Sequence, residues 1–416
     1  MTEHHTADVC VVGAGPAGLA LSLMLLCSGV RVMLIERASG FKREFRGEIL
    51  QPGGMAVLDQ LGVLAGARDR GSHVHRGFQL IDGKRTLLDI DYRRLPGPHA
   101  HLLAVGQEHL LEELLTACRQ HPTFTYLGGH RVTGLLRENG RYVGAVAHGS
   151  RTGDTTTVRA RFVVGADGRY SRTRRLAGID AGRMDVFDQD VVWFKVDAPG
   201  RTVDRVRVHR SAGQAVLVYT SHPDRLQIGW TVPHGSWNQL AARGLPAVKK
   251  ELTAALPEFG DLMDEQLTRL SQLTLLDVFA GRAADWVRDG LVLIGDAAHT
   301  HSPLGAQGIN LALQDAAVLH PLLLDALGDG DVRTLDRFTE LRARDIDAVF
   351  RFQVTQSKVM LARPNPVTDT VRPVLAGLVT RSPLGTVLTQ RIAHGRTPVQ
   401  VRTDLFTTPQ SPKARA

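Results

Sequence analysis

Between residues 8 and 36 the apolar positions change period twice. Asp8-Val9-Cys10-Val11-Val12 is a continuous apolar run of strand length, residues 16–28 carry apolar side chains at helical spacing, and Arg31-Val32-Met33-Leu34-Ile35-Glu36 is strand-like again. Strands apolar on both faces belong inside parallel sheets, and a strand, helix and strand within about 30 residues make one parallel crossover. Pro52 and Gly53-Gly54 open a short helix with Met55, Leu58 and Leu61 at helical spacing, residues 107–120 predict another helix, and alternation near 124–165 predicts strands. From about 185 to 232 the pattern is β-rich, with Val191-Val192-Trp193-Phe194, Ala215-Val216-Leu217-Val218-Tyr219 and Leu226-Gln227-Ile228-Gly229-Trp230. This predicts a sheet lobe inserted into the first lobe. Residues 244–270 read as helical, Leu291-Val292-Leu293-Ile294-Gly295 as a buried parallel strand, and Gly308 to Leu323 as a helix. Beyond about 335 come two helical stretches and an end frayed after about 405.

Length and composition add limits. A chain of 416 residues exceeds one ordinary core and predicts two joined lobes with a cleft between them. Hydrophobic residues make up 43% and charged residues 22%, as in a soluble globular protein. No uncharged apolar run reaches the roughly 18 residues of a membrane span, which predicts no stable membrane insertion. Met1 to Asp8 lacks the basic start and apolar core of a secretion signal, and the expected location is cytoplasmic. The net charge of +8 arises from 50 basic residues scattered among 42 acids, which argues against nucleic acid and is accounted for by an anionic cofactor or substrate. Cys10, Cys27 and Cys118 lie in apolar patterns and read as buried structural thiols. His73/His75, His99/His101 and His299/His301 are i,i+2 pairs without metal-binding spacing, so no metal is expected.

Three segments carry the chemistry. Gly13-Ala14-Gly15-Pro16-Ala17-Gly18 joins the first strand to its helix, and Glu36, with Arg37 after it, closes the next strand. Gly13 allows the tight turn, Gly15 lets a pyrophosphate approach the backbone, and Gly18 lets helix and sheet pack closely. The helix amino end, with unpaired N–H groups and roughly half a positive charge, favours the phosphates. Glu36 can accept from adenosine ribose hydroxyls. The motif does not separate NAD from FAD, and a glycine turn that holds nothing is its plain structural reading. The second segment is Asp167-Gly168-Arg169-Tyr170-Ser171-Arg172-Thr173-Arg174 after a buried strand, a DGxxSxxR pattern that alone is an ordinary turn before a basic helix. In the third, Gly295-Asp296 ends a strand, and Pro303, Gly305, Gly308, Ile309 and Asn310 lead into a helix. Asp296 could accept from ribityl hydroxyls, and that helix end could stabilise the anionic pyrimidine edge of a reduced flavin.

In order and spacing these segments resemble the para-hydroxybenzoate hydroxylase type of FAD-dependent aromatic monooxygenase, over about residues 1–340. The resemblance implies an α/β fold with a Rossmann-like FAD-binding lobe, an inserted, mostly antiparallel β-sheet substrate lobe and C-terminal helices. The expected FAD lobe comprises 1–75, 101–180 and 276–340; 76–100 and 181–275 form the substrate lobe, and 341–416 the C-terminal helices and tail. It further implies that Gly13, Gly15, Gly18 and Glu36 bind the ADP half, that Asp296 binds the ribityl chain, and that the Asp167 region serves both FAD and the nicotinamide nucleotide. Arg46 stands where the family has an arginine near the pyrophosphate, and Gln107 where it has an arginine or glutamine on FAD. Thr339 to Arg344 only loosely matches the family's arginine-rich helix, and the chain stops short of a thioredoxin-like third domain.

The implied reaction uses FAD, NADPH or NADH, and O2 to hydroxylate or epoxidise a phenolic, quinolone or polyketide-like aromatic through a flavin C4a-hydroperoxide. No catalytic side chain is certain, and Pro303 is the first choice for a structural contact beside the flavin. Trp193, Phe194, Val216, Val218, Gln227 and Trp230 are candidates for the substrate bed, though each equally packs a sheet. Alternate strand residues share a face, which pairs Val216 with Val218. His234 and Tyr219 could aid deprotonation, and Glu48 beside Arg46 reads as an ion pair or cofactor contact rather than a catalytic group. The chain is expected to be a monomer or homodimer. Rival readings are a geranylgeranyl-reductase-like flavoenzyme, a flavin-dependent halogenase, of whose motif Gly229-Trp230-Thr231-Val232-Pro233 carries only one tryptophan, and an FAD-bearing scaffold without catalysis.

Overall fold

The computed structural model describes residues 2–41, 47–211, 214–360 and 382–407. Arg46 therefore lies outside the described residues. Its main sheet has eight strands, with the path Val287–Arg288, Leu291–Leu293, Thr155–Gly165, Thr2–Val12, Val32–Glu36 and Phe124–Gly128, and Arg141–Gly149 and His130–Glu138 attached alongside. The central pairings are parallel, with Val9 opposite both Phe162 and Val32, and Val163 opposite Leu291. The first strand starts earlier than its apolar run, because residues 2–7 pair in register with residues 155–160. Helix Pro16–Cys27, buried almost throughout, packs against this sheet together with Gln107–Arg119 and Gly308–Asp329. The last of these runs past its expected end at Leu323, with Pro321 inside it, because Leu322, Leu323 and Ala326 remain in the core; Gly330, at φ 77°, caps it in the left-handed region. Residues 304–329 are the one described stretch long and apolar enough to cross a membrane, and 67% of its most apolar window is buried within the protein.

The second sheet has seven strands in the order Thr274–Leu276, Gln189–Asp197, Arg225–Pro233, Gln214–Ser221, Val206–Ser211, Gly77–Asp82 and Arg85–Asp91. All its pairings are antiparallel except that of Val206–Ser211 with Gly77–Asp82. Helices Trp237–Ala242, Leu245–Ala255 and Gly260–Gln266 cover one face, meeting Val192, Phe194, Val216, Val218, Ile228 and Trp230. The opposite face carries Val191, Trp193, Leu217 and Tyr219, and packs on Tyr92 and on Ile49, Leu102, Leu304 and Ala306 of the first lobe. A three-stranded sheet of Ile49–Leu50, Leu102–Val105 and Ser72–His75 also belongs to this contact. Helix Asp336–Met360 packs against helix Gly308–Asp329 and the turn Leu304–Ala306, and Pro383–His394 comes after it in the chain. Cys10, Cys27 and Cys118 are buried free thiols, and burial pushes Cys10 up to about 12 and Cys27 to about 11.

Candidate active site

The three glycine-containing segments meet at the carboxyl edge of the parallel sheet. Gly13, at φ 108°, lies so close to the second segment that a Cβ there would come within 2.5 Å of the Ala166 carbonyl oxygen and 2.8 Å of the Asp167 Cα. Gly18 is pressed against the Gly13 carbonyl, while Gly13 N donates to Ile35 O at 2.8 Å. Gly295 of the third segment faces the Cβ of Ala17, and Ile294 N donates to Gly165 O at 3.0 Å. Arg169 and Arg174 tie the second segment to the third: Arg169 Nε lies 3.6 Å from Asp296 Oδ2, and an Arg174 guanidinium nitrogen donates to Ala297 O at 2.8 Å.

The cradle fits a dinucleotide where the residues leave room. A Cβ on Gly15 would meet only Ala166 O, at 3.9 Å, and one on Gly168 or Gly308 would meet nothing within 4 Å. Helix Pro16–Cys27 has no side-chain cap and no acid in its first turn, and helix Gly308–Asp329 is equally bare at its start. Both keep N–H groups and the positive dipole end for an anion. Buried Glu36 accepts from Ala14 N at 2.8 Å and Ala38 N at 3.0 Å, which fixes its carboxylate beside the first turn. Arg37 is exposed, and Gln107 starts its helix half-buried.

Other expected contacts have partners within the protein. Both Asp167 oxygens are engaged: Ser171 Oγ donates to one, and Arg172 N, Thr173 N and Thr173 Oγ1 to the other. Its carboxylate thus caps the short helix Arg172–Leu176. Asn310 accepts from Gln51 N at 2.9 Å and donates to Ala306 O at 2.7 Å, joining helix Gly308–Asp329 to helix Pro52–Gln60. The Pro303 carbonyl accepts from Ala306 N at 3.1 Å, and Gln353 Nε2 holds Ser302 O at 2.9 Å and Leu304 O at 2.7 Å. Ile309 is half-buried in the same region.

The substrate bed needs a correction. Phe194, Val216, Val218 and Trp230 are fully buried against the helical layer, because their parity on the strands turns them away from the first lobe. Trp193 and Gln227 have the opposite parity; Trp193 shares the other face with Leu217 and Tyr219, and its ring crosses Gly229, where a Cβ would lie 2.6 Å from it. Gly229→Ala is therefore expected to displace the indole and cost about 1–3 kcal/mol, seen as a lower denaturation midpoint with altered tryptophan fluorescence. Tyr219 is buried, and burial followed by nearby Glu48 raises its hydroxyl well above the usual range. His234 pairs with Asp190 at 3.0 Å, and with Asp277 these form the one described group whose ligand atoms lie within 4.8 Å of one another. Asp190 also takes Gly235 N and Val278 N, and Arg183 neutralises Asp277, so the group is accounted for as a hydrogen-bonded node.

Sequence reasoning missed one buried set and, for Glu48, which it read as an ion pair or cofactor contact beside Arg46, the partners of another. Asp315 accepts from Gly295 N at 2.9 Å, His299 Nε2 at 2.6 Å and Arg342 Nε at 2.7 Å, beneath the third segment. Glu48 accepts from Lys195 Nζ at 2.5 Å and Ser221 Oγ at 2.8 Å. The only signal for Lys195 is a charge directly after the apolar run Val191 to Phe194, two residues beyond Trp193.

A parallel sheet whose carboxyl edge gathers three glycine-containing turns, facing a second sheet across an apolar contact, is the two-lobed arrangement expected of a flavoprotein hydroxylase. The chain belongs to the FAD binding domain family, whose model matches residues 6–353, and it is an FAD-dependent monooxygenase. It is 52% identical over 404 residues to 6-methylpretetramide 4-monooxygenase of Streptomyces rimosus, covering 97% of this chain and 95% of that protein. Its fold is similar to that of p-nitrophenol 4-monooxygenase PnpA from Pseudomonas putida DLL-E4, with a TM-score of 0.77 at 21% identity over 95% of this chain and all of that one. A TM-score of 0.74 at 22% identity relates it to OxyS anhydrotetracycline hydroxylase from Streptomyces rimosus, over 93% of this chain and 76% of that one.

Proposed function

We propose that this enzyme hydroxylates one ring of a polycyclic aromatic polyketide of the 6-methylpretetramide kind, using NADH or NADPH and O2. The observation that carries the reading is the 52% identity to 6-methylpretetramide 4-monooxygenase along 97% of the chain. Bound FAD supplies the oxygen-activating chemistry. One NAD(P)H, one proton and one O2 convert the ring C–H to C–OH, with NAD(P)+ and water as the other products.

The chain's own part is to bind and to exclude water. Gly13, Gly15, Gly18 and Glu36 hold the ADP half, with Pro16 and Ala17 opening the helix behind it. Asp296, Gly305 and the start of helix Gly308–Asp329 hold the flavin half. Trp193, Leu217 and Tyr219 give the ring an apolar wall, which protects the reacting oxygen from water. The reading predicts that yellow holoenzyme consumes NAD(P)H and O2 at least tenfold faster, as an order of magnitude, when 6-methylpretetramide is added, with one hydroxylated product per nucleotide oxidised. Nucleotide oxidation yielding only hydrogen peroxide, or no stimulation by any polycyclic phenol, would refute it.

A further inference from the structure

On the sheet face opposite the helical layer, Lys195 stands two residues beyond Trp193 and shares its orientation. That face packs on Leu304 and Ala306 of the flavin-side loop. Lys195 Nζ donates to Glu48 Oε1 at 2.5 Å and to Ser221 Oγ at 3.1 Å, and Ser221 Oγ donates to Glu48 Oε2 at 2.8 Å. Glu48 comes from the first lobe and the other two from the sheet lobe, so a closed triangle of polar groups bridges the two. The side chains of Lys195 and Glu48 are 21% and 10% exposed.

An ion pair this poorly hydrated recovers little net stability, and apolar residues of similar volume often serve as well. An ammonium has three donors. The two bonds above use two of them, and the third has no partner among the described residues. Burial holds Tyr219 protonated and pushes His75, whose Nε2 lies 2.9 Å from Thr220 O, down to about 4, while burial also lowers His73. Gln227, cross-strand from both Lys195 and Tyr219, keeps a buried Oε1 without a partner. The result is an apolar aromatic wall ending in one oriented cationic donor.

We infer that Lys195 grips an acidic oxygen of the substrate, a phenolic or enolised carbonyl oxygen of a polycyclic aromatic, with Glu48 and Ser221 as its positioning residues. The inference rests on the hydroxylase reading above and adds the group that orients the ring. A cation at that oxygen favours its ionised form, which makes the ring more electron-rich toward an electrophilic oxygen.

The test is titration of FAD-loaded enzyme with 6-methylpretetramide without reductant, following the polyphenol's own absorbance. Its amplitude gives the dissociation constant, and its band position reports whether the bound molecule is ionised. Lys195→Met is expected to bind about ten- to a hundredfold more weakly, to shift the band toward the neutral form, and to raise KM more than it lowers kcat. Ser221→Ala, which keeps the ion pair, should show a smaller change in the same direction. If Lys195→Met does not fold, Ser221→Ala carries the test, and its matching wild type in dissociation constant and band overturns the inference. A folded Lys195→Met with wild-type binding and band does the same, even if its melting temperature falls, because that marks a clasp between lobes. Wild-type enzyme that no polycyclic phenol stimulates defeats the hydroxylase reading and this inference together, whereas a stimulated wild type with an unaffected variant defeats this inference alone.

Discussion

Gly15→Ala is expected to yield folded protein that purifies without its yellow cofactor. A Cβ at this position has no protein neighbour closer than 3.9 Å, and the backbone there is ordinary extended chain, φ −82° and ψ −179°. Replacing glycine at a helix N-cap by alanine costs about 1 kcal/mol or less. The new methyl group instead occupies the approach to the amino end of helix Pro16–Cys27, where the pyrophosphate must reach unpaired N–H groups. Loss of that approach should weaken FAD binding about a hundredfold, near 2.7 kcal/mol, in a fluorescence titration of apoprotein. Gly13→Ala is the contrasting case. Its φ of 108° and the 2.5 Å approach to Ala166 O mean that the turn itself must shift, so protein stability falls along with cofactor binding. A Gly15→Ala protein that retains full FAD affinity would remove the pyrophosphate from this turn.

Arg342→Met is expected to lower the unfolding free energy by about 3–5 kcal/mol in urea or guanidinium titration. Arg342 and Asp315 are 1% and 0% exposed, and removing the guanidinium leaves Asp315 with His299 as its remaining side-chain partner. Pairing Arg342→Met with Asp315→Asn should recover part of the loss, since the Asp315 carboxylate left without its guanidinium is then gone as well. Burial raises the Asp315 carboxyl, but His299 and Arg342 outweigh it and hold the group well below the usual carboxylate range. A carboxyl depressed by folding adds stability that is fully present above its unfolded value, about 3.9, and is lost as pH falls toward the folded value. The wild type should therefore lose this contribution only in acid, and the double variant should lack that part of the acid dependence. Because Asp315 also accepts from Gly295 N, the single variant should release FAD more readily at neutral pH.

Both lobes and the meeting of three turns were legible in the apolar runs and glycine spacings, because a doubly apolar strand followed by a glycine turn has few other uses. The start of the first strand was not. Thr2 to Thr6 carry no apolar pattern and are strand only because Thr155 to Arg159 lie beside them. Nor could alternation say which sheet face meets the flavin lobe. Val216 with Val218 and Leu217 with Tyr219 are both apolar pairs, and since both faces are covered, parity separates them without orienting them. Asp167 was legible as a turn residue, yet its carboxylate is satisfied by its own helix start. Asp315 and Arg342 escaped notice because their partnership spans 27 residues and joins two helices, and local periodicity carries no trace of it.

The cofactor cradle also sets an order of events during synthesis. Its first turn emerges with residues 13–18, but Ile294 must bond Gly165, and Gly295 must bond Asp315, before the flavin half has walls. Most of the chain has left the ribosome by then, and pairings so distant in sequence form slowly. Capture of the flavin is thus expected as a late step, and until residues 291–293 pair with 163–165 the end of that central strand keeps an open edge.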